Sequence, residues 1–422
     1  MGVAVDAVTR GYSVALFEWE DFAKATSSRS TKLVHGGVRY LAQGDVSLVL
    51  EALYERGLLQ QNAPHLVKNQ SFLIPNYRYW DNFLYTVGLT IYDILAGRLS
   101  LGRSKYVSQK KTMSYLPTVR VDGLKGGVVY HDGQFDDSRL AVNLAQSCVE
   151  NGGCPINRMK VTAILHGSDG RARGVKVQDL MNGQEYEVKA KAVINATGIF
   201  VDNIMEMDVP THEHMVRPSQ GVHLVLDKSF LQSDYAIMIP KTDDGRVLFA
   251  VPWHDKVVVG TTDTLREHPE LEPQALESEI EFILNTAGHY LTRKPRRSDV
   301  LSVFAGLRPL AAPKKEGKST KEISRSHKIF VSENKLITIT GGKWTTYRRM
   351  AEDTVDKAIE LNLLEKKACV TKKFRIHGYQ LNPDLNNHLY IYGSDIQAIK
   401  TLMQSDPAMA EKLHPKYDYT VA

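Results

Sequence analysis

The stretch that decides the fold is MGVAVDAVTRGYSVALFEWEDF, residues 1–22. Apolar residues recur at helical spacing near its start, Gly11 supplies a stop, and the β-prone run YSVALF then leads to Glu18. A helix followed by a strand is the second half of a β-α-β unit, and dinucleotide-binding folds place a ribose-binding acid at the end of such a strand. We therefore expect a nucleotide-binding domain, although Glu18 taken alone is better explained as a solvated acid.

Composition narrows the class of protein. The 422 residues suffice for two or three domains, and 43% hydrophobic with 24% charged residues is typical of a soluble globular chain. A net charge of +5 is too mild to indicate nucleic acid binding. The three cysteines are unclustered and show no metal-ligand spacing, which favours a reducing cytosol. We expect neither a nucleic acid partner nor a metal site.

The rest of the chain alternates between helix and strand patterns. Helices are predicted over residues 45–61, over Asp137–Glu150 with a capped start, and over residues 345–361. Three strand runs, MKVTAIL, GVKVQDL and YEVKAKAVINATG, indicate a β-meander whose last strand ends in a glycine turn. Further runs between residues 217 and 264 indicate a second, mostly antiparallel sheet.

These patterns predict an α/β plus α+β chain in which a nucleotide-binding domain is interrupted by a second sheet. We assign residues 1–45, 125–205 and 300–360 to the nucleotide-binding domain, and residues 46–124 and 206–299 to a substrate or cap domain. Residues 373–422, which are polar and helical in pattern, are assigned to a partial C-terminal helical domain.

The stretch ATSSRSTKLVHGGVRYL, residues 25–41, combines small hydroxyl residues with a glycine pair. Such a backbone approaches a phosphate or a planar ring closely, and Ser27, Ser28 and Lys32 are available as donors. Arg39 and Tyr40 follow within reach of an anionic group. The alternative, a flexible serine-rich loop, is disfavoured by the apolar residues that follow.

Three later stretches contain turns that suit an anion or a ring. INATGIFVD, residues 194–202, ends a buried strand at a glycine, and TITGGKWTTYRRM, residues 338–350, runs from a glycine pair into a helix. Free backbone N–H groups and the positive end of a helix favour an anion there. In GLRPL, Pro309 fixes the strand end and so holds Arg308 in place. Each piece taken alone is better explained as a structural turn.

The candidate residues for proton transfer are His35, His223 and His254, because histidine exchanges protons near neutral pH. Most of the 14 histidines must be structural or solvated. His223 carries more weight because it lies in RPSQGVHLVL, at the start of a strand in the sheet that should face a cofactor.

Taken in order, several stretches resemble the FAD-dependent glycerol-3-phosphate dehydrogenases of the respiratory chain. They are TSSRSTKLVHGGVRYL, EALYERGLLQQNAPHL, VYHDGQFDDSRL, VINATGIFVD, GVHLVL, VPWHDKVVVGTTDT, AGLRPL and GGKWTTYRRMAED, within residues 1–360. The resemblance implies a glutathione-reductase-type FAD-binding Rossmann domain, an inserted antiparallel-sheet substrate domain and a C-terminal helical cap.

The resemblance also implies a function. It implies oxidation of sn-glycerol 3-phosphate to dihydroxyacetone phosphate by hydride transfer to FAD, with electrons passed to a membrane quinone. The implied location is cytoplasmic, peripherally attached to the inner face of the cell membrane, and a homodimer stays open. WDNFLYTVGLTIYDILAG, residues 80–97, suits an interfacial segment that lies on the membrane, with core packing as an equal alternative.

Site residues follow from the same resemblance. Those assigned to catalysis are Arg308, His223, Tyr40 and Lys343, with His223 as base and Arg308 stabilising the alkoxide, and those assigned to the substrate phosphate are Arg39 and Arg325. Those assigned to FAD are Glu18, Ser28, Lys32, His35, Val161, Ala196, Thr197, Gly198, Gly341, Gly342 and Thr345.

Two other functions stay open. An amine or amino-acid oxidase of the same fold would bind a carboxylate with one arginine, so a surplus of arginines favours the phosphate ester. The second alternative is a non-catalytic fragment unable to hold FAD, because the family has a strand and a GxGxxG loop before the helix that here begins at Gly2. We expect the chain to be clipped at both ends relative to this family.

Overall fold

The computed structural model describes residues 1–42, 44–240, 242, 246–311 and 326–422, and the side chains of Arg39 and Ala42 fall outside that description. The helices in these ranges are α1 Gly2–Thr9, α2 Val38–Ala42, α3 Val46–Asn62, α4 Tyr79–Ala96, α5 Gln109–Tyr115, α6 Asp137–Glu150, α7 Val201–Asp208, α8 Glu277–Gly288, α9 Tyr347–Glu360 and α10 Ile396–Ser405. The strands are β1 Ala15–Phe17, β2 Leu33–Val34, β3 Val67–Asn76, β4 Lys105–Val107, β5 Gly126–Phe135, β6 Cys154–Ile156, β7 Met159–His166, β8 Ala172–Asp179, β9 Glu185–Lys189, β10 Ile194–Asn195, β11 Val216–Asp227, β12 Ala236–Ile239, β13 Leu248–Trp253, β14 Lys256–Gly260, β15 Thr264–Leu265, β16 Val300–Ala311, β17 Lys328–Val331 and β18 Ile337–Thr340.

The opening stretch folds as the sequence predicts, with α1 followed by β1. β1 pairs in parallel with β6, and the backbone N–H of Glu18 extends the pairing by donating to the carbonyl of Ile156 at 2.8 Å. Ala4, Val5 and Val8 of α1 are buried in a cluster that also contains residues of α6. A helix packed beside a parallel pair of strands is an α/β arrangement, so the predicted helix and strand are confirmed, although β1 covers only the second half of the predicted run YSVALF.

Side-chain caps set the start of two predicted helices. The carboxylate of Asp45 accepts a hydrogen bond from the backbone N–H of Leu48 at 3.1 Å, and α3 begins at the next residue. Asp136 does the same for α6, accepting from the N–H of Arg139 at 2.8 Å. Each cap satisfies an N–H group that has no partner within its helix. Both predicted helices are confirmed.

A large mixed sheet takes up the middle of the molecule. Its order is β15-β11-β14-β13-β12-β3-β5-β2, with β16 also paired to β11 and β4 to β5. Most neighbours are antiparallel, as predicted between residues 217 and 264, whereas β12 and β3 are parallel. The sheet combines strands from the segments assigned to the nucleotide-binding domain and to the substrate domain. That division of the chain stays a prediction.

The meander differs from its prediction in the last strand. β7, β8 and β9 form a three-stranded antiparallel sheet, but the run YEVKAKAVIN is two strands rather than one. β9 ends at Lys189, and β10 pairs in parallel with β18 in another sheet. The physical reason is a nonlocal partner, because β18 lies about 140 residues further along the chain and offers Ile194 and Asn195 a parallel edge.

Candidate active site

Eight of the predicted site residues line one cleft, which is formed by strands of the large sheet, the 25–41 stretch and the turn after β18. The predicted residues that line it are His35, Tyr40, His223, Arg308, Gly341, Gly342, Lys343 and Thr345. These residues come from separate segments of the chain, which the fold brings together at one place.

His223 lies on β11 and is 2% exposed. Its Nε2 lies 2.8 Å from Oγ1 of Thr31, and its ring stacks on Phe304 with 4.9 Å between the centroids. Within the described part of the chain, Nδ1 has no hydrogen-bond partner. Burial, with Arg308 and Lys32 nearby, lowers the pKa of His223 to about 3. The imidazole is therefore neutral at neutral pH.

Arg308, on β16, is held by the turn that follows β14. Its Nη2 donates to Oγ1 of Thr261 at 2.9 Å, and its Nη1 donates to the carbonyl of Thr262 at 3.1 Å. Asp263 lies 3.8 Å from Nη1. A Cβ atom at Gly221 would collide with the guanidinium, so glycine is needed on the neighbouring strand. The predicted fixing of Arg308 is thus achieved mainly by hydrogen bonds.

The glycine pair after β18 turns the chain into the helical segment that leads to α9. Gly341 and Gly342 have φ angles of +76° and +74°, a region that favours glycine. A Cβ atom at Gly342 would also collide with the sulfur of Met350. Directly after the pair, Nζ of Lys343 lies 4.0 Å from the centroid of the Tyr40 ring, a cation–π contact. The turn thus brings two predicted catalytic residues together.

A hydrogen bond ties the 25–41 stretch to the same turn. The backbone N–H of His35 donates to Oγ1 of Thr345 at 3.2 Å, and Thr345 is 2% exposed. Both residues line the cleft. Their pairing brings the two stretches assigned to the flavin against each other.

Lys32 and Ser28 make contacts with their own loop and with α6. Nζ of Lys32 donates to Oδ1 of Asp137 at 2.6 Å and to the carbonyl of Ser28 at 2.8 Å. The side chain of Asp137 is fully buried, so this ion pair holds the loop on the start of α6. The two residues are not among those that line the cleft. Their assignment to FAD stays a prediction.

Glu18 follows β1, and Val161 lies on the neighbouring strand β7. Neither residue lines the cleft. The backbone N–H of Met159 donates to the carbonyl of Glu18 at 2.9 Å, which places the end of β1 next to β7 and Val161. The Glu18 carboxylate accepts from the N–H of Glu20 at 2.9 Å, and burial raises its pKa. A partly buried acid at this strand end agrees with the predicted ribose-binding role, which stays a prediction.

The turn at Ala196, Thr197 and Gly198 follows β10. Oγ1 of Thr197 donates to Oδ1 of Asn195 at 2.8 Å, which fixes the turn from within. Gly198 has a φ angle of +63°, and a Cβ atom there would meet nothing within 4 Å. The backbone of the turn is therefore open to an approaching group. These residues lie outside the cleft lining, and their role stays a prediction.

The two arginines predicted to bind the phosphate lie partly or wholly outside the described residues. Arg39 lies in α2, but its side chain is outside the described part of the chain. Arg325 lies outside the described residues altogether. Their assignment to the phosphate stays a prediction.

Sequence reasoning missed several residues that line the cleft. Arg29 and Thr31 belong to the stretch TSSRSTK, so the hydroxyl-rich loop was a usable signal for them. Asp132 lies in VYHDGQF, another stretch that carries the family resemblance. Arg246 also lines the cleft, and no local pattern around it indicates a site.

The residues present fit FAD by the chemistry of their donor set. An acid follows a parallel strand at Glu18, an open backbone turn lies at Gly198, and the glycine pair 341–342 precedes a helical segment. Such groups suit a ribose, a pyrophosphate and an electron-rich ring respectively. Among the described residues, no cluster of three histidine, cysteine, aspartate or glutamate side chains could hold a metal ion.

A family model and curated relatives match most of the chain. The model described as "FAD dependent oxidoreductase" matches residues 1–348. "Glycerol-3-phosphate dehydrogenase SDP6, mitochondrial" of Arabidopsis thaliana is 44% identical over 390 residues, which cover 89% of this chain and 62% of the relative. "Glycerol-3-phosphate dehydrogenase, mitochondrial" of Homo sapiens is 41% identical over 378 residues, 86% of this chain and 52% of the relative. The chain thus spans little more than half of these relatives.

Solved structures share the fold. The glycerol-3-phosphate dehydrogenase of Bacillus halodurans, solved with FAD, is 32% identical and covers 96% of this chain and 68% of its own, with a TM-score of 0.72. A glycine oxidase of Geobacillus kaustophilus covers 89% of this chain and 94% of its own with a TM-score of 0.62, but at 15% identity it shows the fold alone.

Proposed function

The chain belongs to the FAD-dependent oxidoreductase family, whose cofactor is FAD, and we propose that it oxidises sn-glycerol 3-phosphate to dihydroxyacetone phosphate. The observation that supports this choice of substrate is the charge of the cleft. Its cationic lining residues are Arg29, Arg246, Arg308 and Lys343, and its carboxylates are Asp132 and Asp263. A phosphate monoester carries nearly two negative charges, so a surplus of cations suits it better than the single carboxylate of an amino acid.

Carboxylates offset part of that surplus, because Glu272 pairs with Arg29 at 3.0 Å, but the cleft lining still holds more cations than carboxylates. Asp132 is neutralised from behind by Arg56, whose Nη1 donates to it at 2.7 Å. Asp263 accepts from the hydroxyl of Ser219 and lies 3.8 Å from Arg308. The remaining positive charge favours a phosphorylated alcohol over the amine and amino-acid substrates of oxidases with this fold.

In the proposed reaction, Arg308 holds the substrate oxygen on C2. Its two fixed hydrogen bonds leave the guanidinium oriented before substrate arrives, which reduces the reorganisation needed as negative charge develops on that oxygen. Arginine keeps its charge throughout the working pH range. We therefore assign the stabilisation of the developing alkoxide to Arg308.

His223 is the proposed acceptor of the C2 hydroxyl proton. Its low pKa keeps it unprotonated, and so available as an acceptor, at neutral pH. The same low pKa makes it a weak base, so transfer depends on Arg308 acidifying the hydroxyl. Thr31 contacts the ring at Nε2, and Nδ1 is buried without a hydrogen-bond partner in the described chain.

FAD, when bound, supplies the hydride acceptor. We propose that Glu18 holds its ribose, that the turn at Gly198 accommodates its phosphate region, and that the glycine pair at 341–342 offers backbone N–H groups to its ring. His35 and Thr345, paired to each other, keep the loop and the turn on the same side of the cleft.

The test is reduction of bound flavin under anaerobic conditions. Addition of glycerol 3-phosphate should bleach the flavin absorbance, whereas glycine and D-amino acids should not. A colourless purified protein would favour the alternative of a non-catalytic fragment. Reduction by amino acids instead would favour an oxidase of the same fold.

We also propose attachment to a membrane surface through α4. The described helices include none that is long and apolar enough to cross a bilayer. One face of α4 nevertheless exposes large apolar side chains, with Trp80 68%, Phe83 59% and Ile94 72% exposed. Exposed arginines flank it at 78 and 98. An apolar face with basic flanks favours the interface of a lipid bilayer.

An apolar end of the cleft supports a quinone as electron acceptor. Phe72, Tyr130, Met238 and Phe249 line the cleft. They pack in or against a core cluster that also contains Leu89, on the buried side of α4. A lipid-soluble acceptor would thus find apolar contacts between the proposed membrane face and the cleft. Attachment to the cytoplasmic face of the cell membrane and a homodimer stay predictions, and the relatives above are named as mitochondrial.

Vesicle co-sedimentation tests the membrane proposal. The double substitution Trp80→Ser/Phe83→Ser should weaken binding to anionic vesicles by at least about tenfold, since each buried aromatic side chain contributes about 1.5–3 kcal/mol when fully withdrawn from water. The control is Met181→Ser, which removes an apolar residue that is 79% exposed and far from α4 in sequence. Equal binding by both variants would contradict attachment through α4.

A further inference from the structure

A buried aspartate connects the cleft to two helices behind it. Asp132 of β5 is 3% exposed, and its partners Arg56 of α3 and Tyr92 of α4 are each 1% exposed. Nη1 of Arg56 donates to Oδ1 of Asp132 at 2.7 Å, and the hydroxyl of Tyr92 donates to Oδ2 at 2.8 Å. We call these three residues the cleft-side cluster. Its charges balance, because one guanidinium faces one carboxylate.

The cleft-side cluster also binds the backbone at Gly36, in the loop that leads into α2 and Tyr40. The N–H of Gly36 donates to Oδ1 of Asp132 at 3.3 Å. A Cβ atom at Gly36 would lie 2.5 Å from the Tyr92 hydroxyl, so the loop needs glycine to approach this closely. Gly37, at a φ angle of +75°, then turns the chain against the ring of Tyr40.

The contact continues to the turn after β18. Tyr40 receives Nζ of Lys343 over its ring, and both residues line the cleft. Val38 and Tyr40 pack against a cluster that includes Tyr92. A shift of the loop at Gly36 would therefore move Tyr40 and the cation that rests on it.

Without its partners, a charged Asp132 would weaken the binding of an anionic substrate in the cleft. It lines a cleft with a surplus of cations, where a lone carboxylate would repel an anionic substrate. Arg56 neutralises that charge, and Tyr92 and Gly36 use its remaining acceptor capacity. Burial raises the pKa of Asp132, and the ion pair with Arg56 opposes that effect.

We propose that Asp132, held by Arg56 and Tyr92, is a positioning residue that fixes the loop at Gly36 and thereby the placement of Tyr40 and of Lys343, one of the cleft cations proposed above to select the phosphate ester. The proposal rests on the function proposed above, because it concerns the binding of glycerol 3-phosphate. It assigns a role in that binding to residues of α3 and α4 that do not themselves line the cleft.

The test variant is Tyr92→Phe in the FAD-loaded holoenzyme, which removes one donor to Asp132 and keeps the ring. The KM for glycerol 3-phosphate should rise about tenfold, equivalent to about 1.4 kcal/mol, while kcat changes less than threefold. The dissociation constant of dihydroxyacetone phosphate, followed by flavin absorbance, should rise by the same factor. The matched control is Tyr12→Phe, which removes the hydroxyl bonded to the carbonyl of Glu365.

KM and kcat are measured well below the melting temperature of each variant, so that a raised KM does not report unfolding. Tyr92→Phe should lose more stability than Tyr12→Phe because its hydrogen bond is buried, and the control should leave KM unchanged. A KM for Tyr92→Phe within twofold of wild type, or an equal rise in the Tyr12→Phe control, would overturn the proposal. Wild-type holoenzyme is assayed first: if it does not oxidise glycerol 3-phosphate, the proposed function fails and this inference fails with it. If wild type is active, only the inference is at stake.

Discussion

The two ionic clusters beside α3 share their chemistry and differ in their surroundings. The cleft-side cluster is Arg56, Tyr92 and Asp132, and the tail-side cluster is Glu55, Arg348, Glu352 and Thr371. Glu55 and Arg56 are consecutive in α3, and each is at most 2% exposed. Burial and arginine–carboxylate pairing occur in both clusters, so these properties by themselves do not identify a functional site.

The neighbouring backbone distinguishes the clusters. Asp132 holds a loop that lines the cleft, through the N–H of Gly36. Arg348 instead joins chain segments, because it donates to Glu55 of α3 at 2.6 Å and to Oγ1 of Thr371, beyond α9, at 3.3 Å. We expect damage to the tail-side cluster to lower stability without changing substrate affinity. Damage on the cleft side should in addition raise the KM for the substrate, because Asp132 holds the loop at Gly36.

The largest effect is expected from Arg348→Ala. This change leaves Glu55 buried without its guanidinium, whereas Glu352 keeps its contact with Arg349 at 3.1 Å, and breaking a buried ion pair from one side costs about 3–5 kcal/mol. Urea denaturation should show that loss in the free energy of unfolding. The KM for glycerol 3-phosphate, measured on the folded fraction, should equal that of wild type.

An exposed ion pair provides the control for Arg348→Ala. Lys412 and Asp418 are joined at 2.8 Å, with half or more of each side chain exposed. Lys412→Ala should cost about 0–1 kcal/mol, because solvent screens such pairs. A similar loss of stability in both variants would show that the buried tail-side cluster contributes no more to stability than an exposed ion pair.

A slightly smaller effect, on the activation free energy of flavin reduction rather than on stability, is expected from Arg308→Met in the cleft. Loss of a preorganised donor to a developing oxyanion lowers kcat by about 10²–10³-fold, or about 2.7–4 kcal/mol. Arg308 is partly exposed, so the melting temperature should change little. Stopped-flow measurement of flavin reduction checks the rate, and Arg308→Lys, which keeps the charge, should lose less. If Arg308→Met lowered stability more than the rate, the contrast between the two sides would fail.

Local sequence signals account for much of the fold. The caps at Asp45 and Asp136 set α3 and α6, and the glycine pair 341–342 predicts the turn after β18. Hairpin strands such as β13 and β14 also follow from local alternation and a polar turn. These features depend on contacts within a few residues, which is the range over which sequence patterns are informative.

Nonlocal partners account for what sequence reasoning missed. The split of the meander's last run depends on β18, and the cleft-side cluster joins positions 36, 56, 92 and 132 of the chain. Nothing around Arg56 distinguishes it from Glu55, since both lie on one helix and are buried. Their different partners follow only from how α3 packs between other elements. The loops of the candidate site could therefore be predicted from the sequence, whereas the buried residues that hold those loops in place could not.

The pH dependence of stability at His65, a residue outside both clusters, is expected to be of intermediate size. His65 is fully buried beside Gly378, and burial lowers its pKa to about 4. The unfolded chain binds a proton near pH 6.5 and the folded chain does not, so stability falls as pH drops from 6.5 towards 4. Between pH 7.5 and pH 5, His65→Gln should remove about 2 kcal/mol of that fall, since pH 5 lies about 1.5 units below the unfolded pKa and one unit corresponds to about 1.4 kcal/mol. Urea denaturation at pH 7.5 and pH 5 measures it, and an unchanged fall would contradict the assignment.

The smallest effect is expected at His377, where the pH dependence has the opposite sign. Burial alone would lower its pKa, but hydrogen bonds to Glu150 at 2.6 Å and Asp395 at 2.8 Å outweigh burial and raise it. The stabilising contribution is therefore complete below pH 6.5 and is lost as pH rises through the raised pKa. Because solvent reaches the pair, His377→Gln should cost at most about 1 kcal/mol at pH 6 and nothing at pH 9. The exposed His268→Gln should change stability at neither pH, and a cost for His377→Gln that grew towards pH 9 would show that packing, rather than charge, holds this segment on α6.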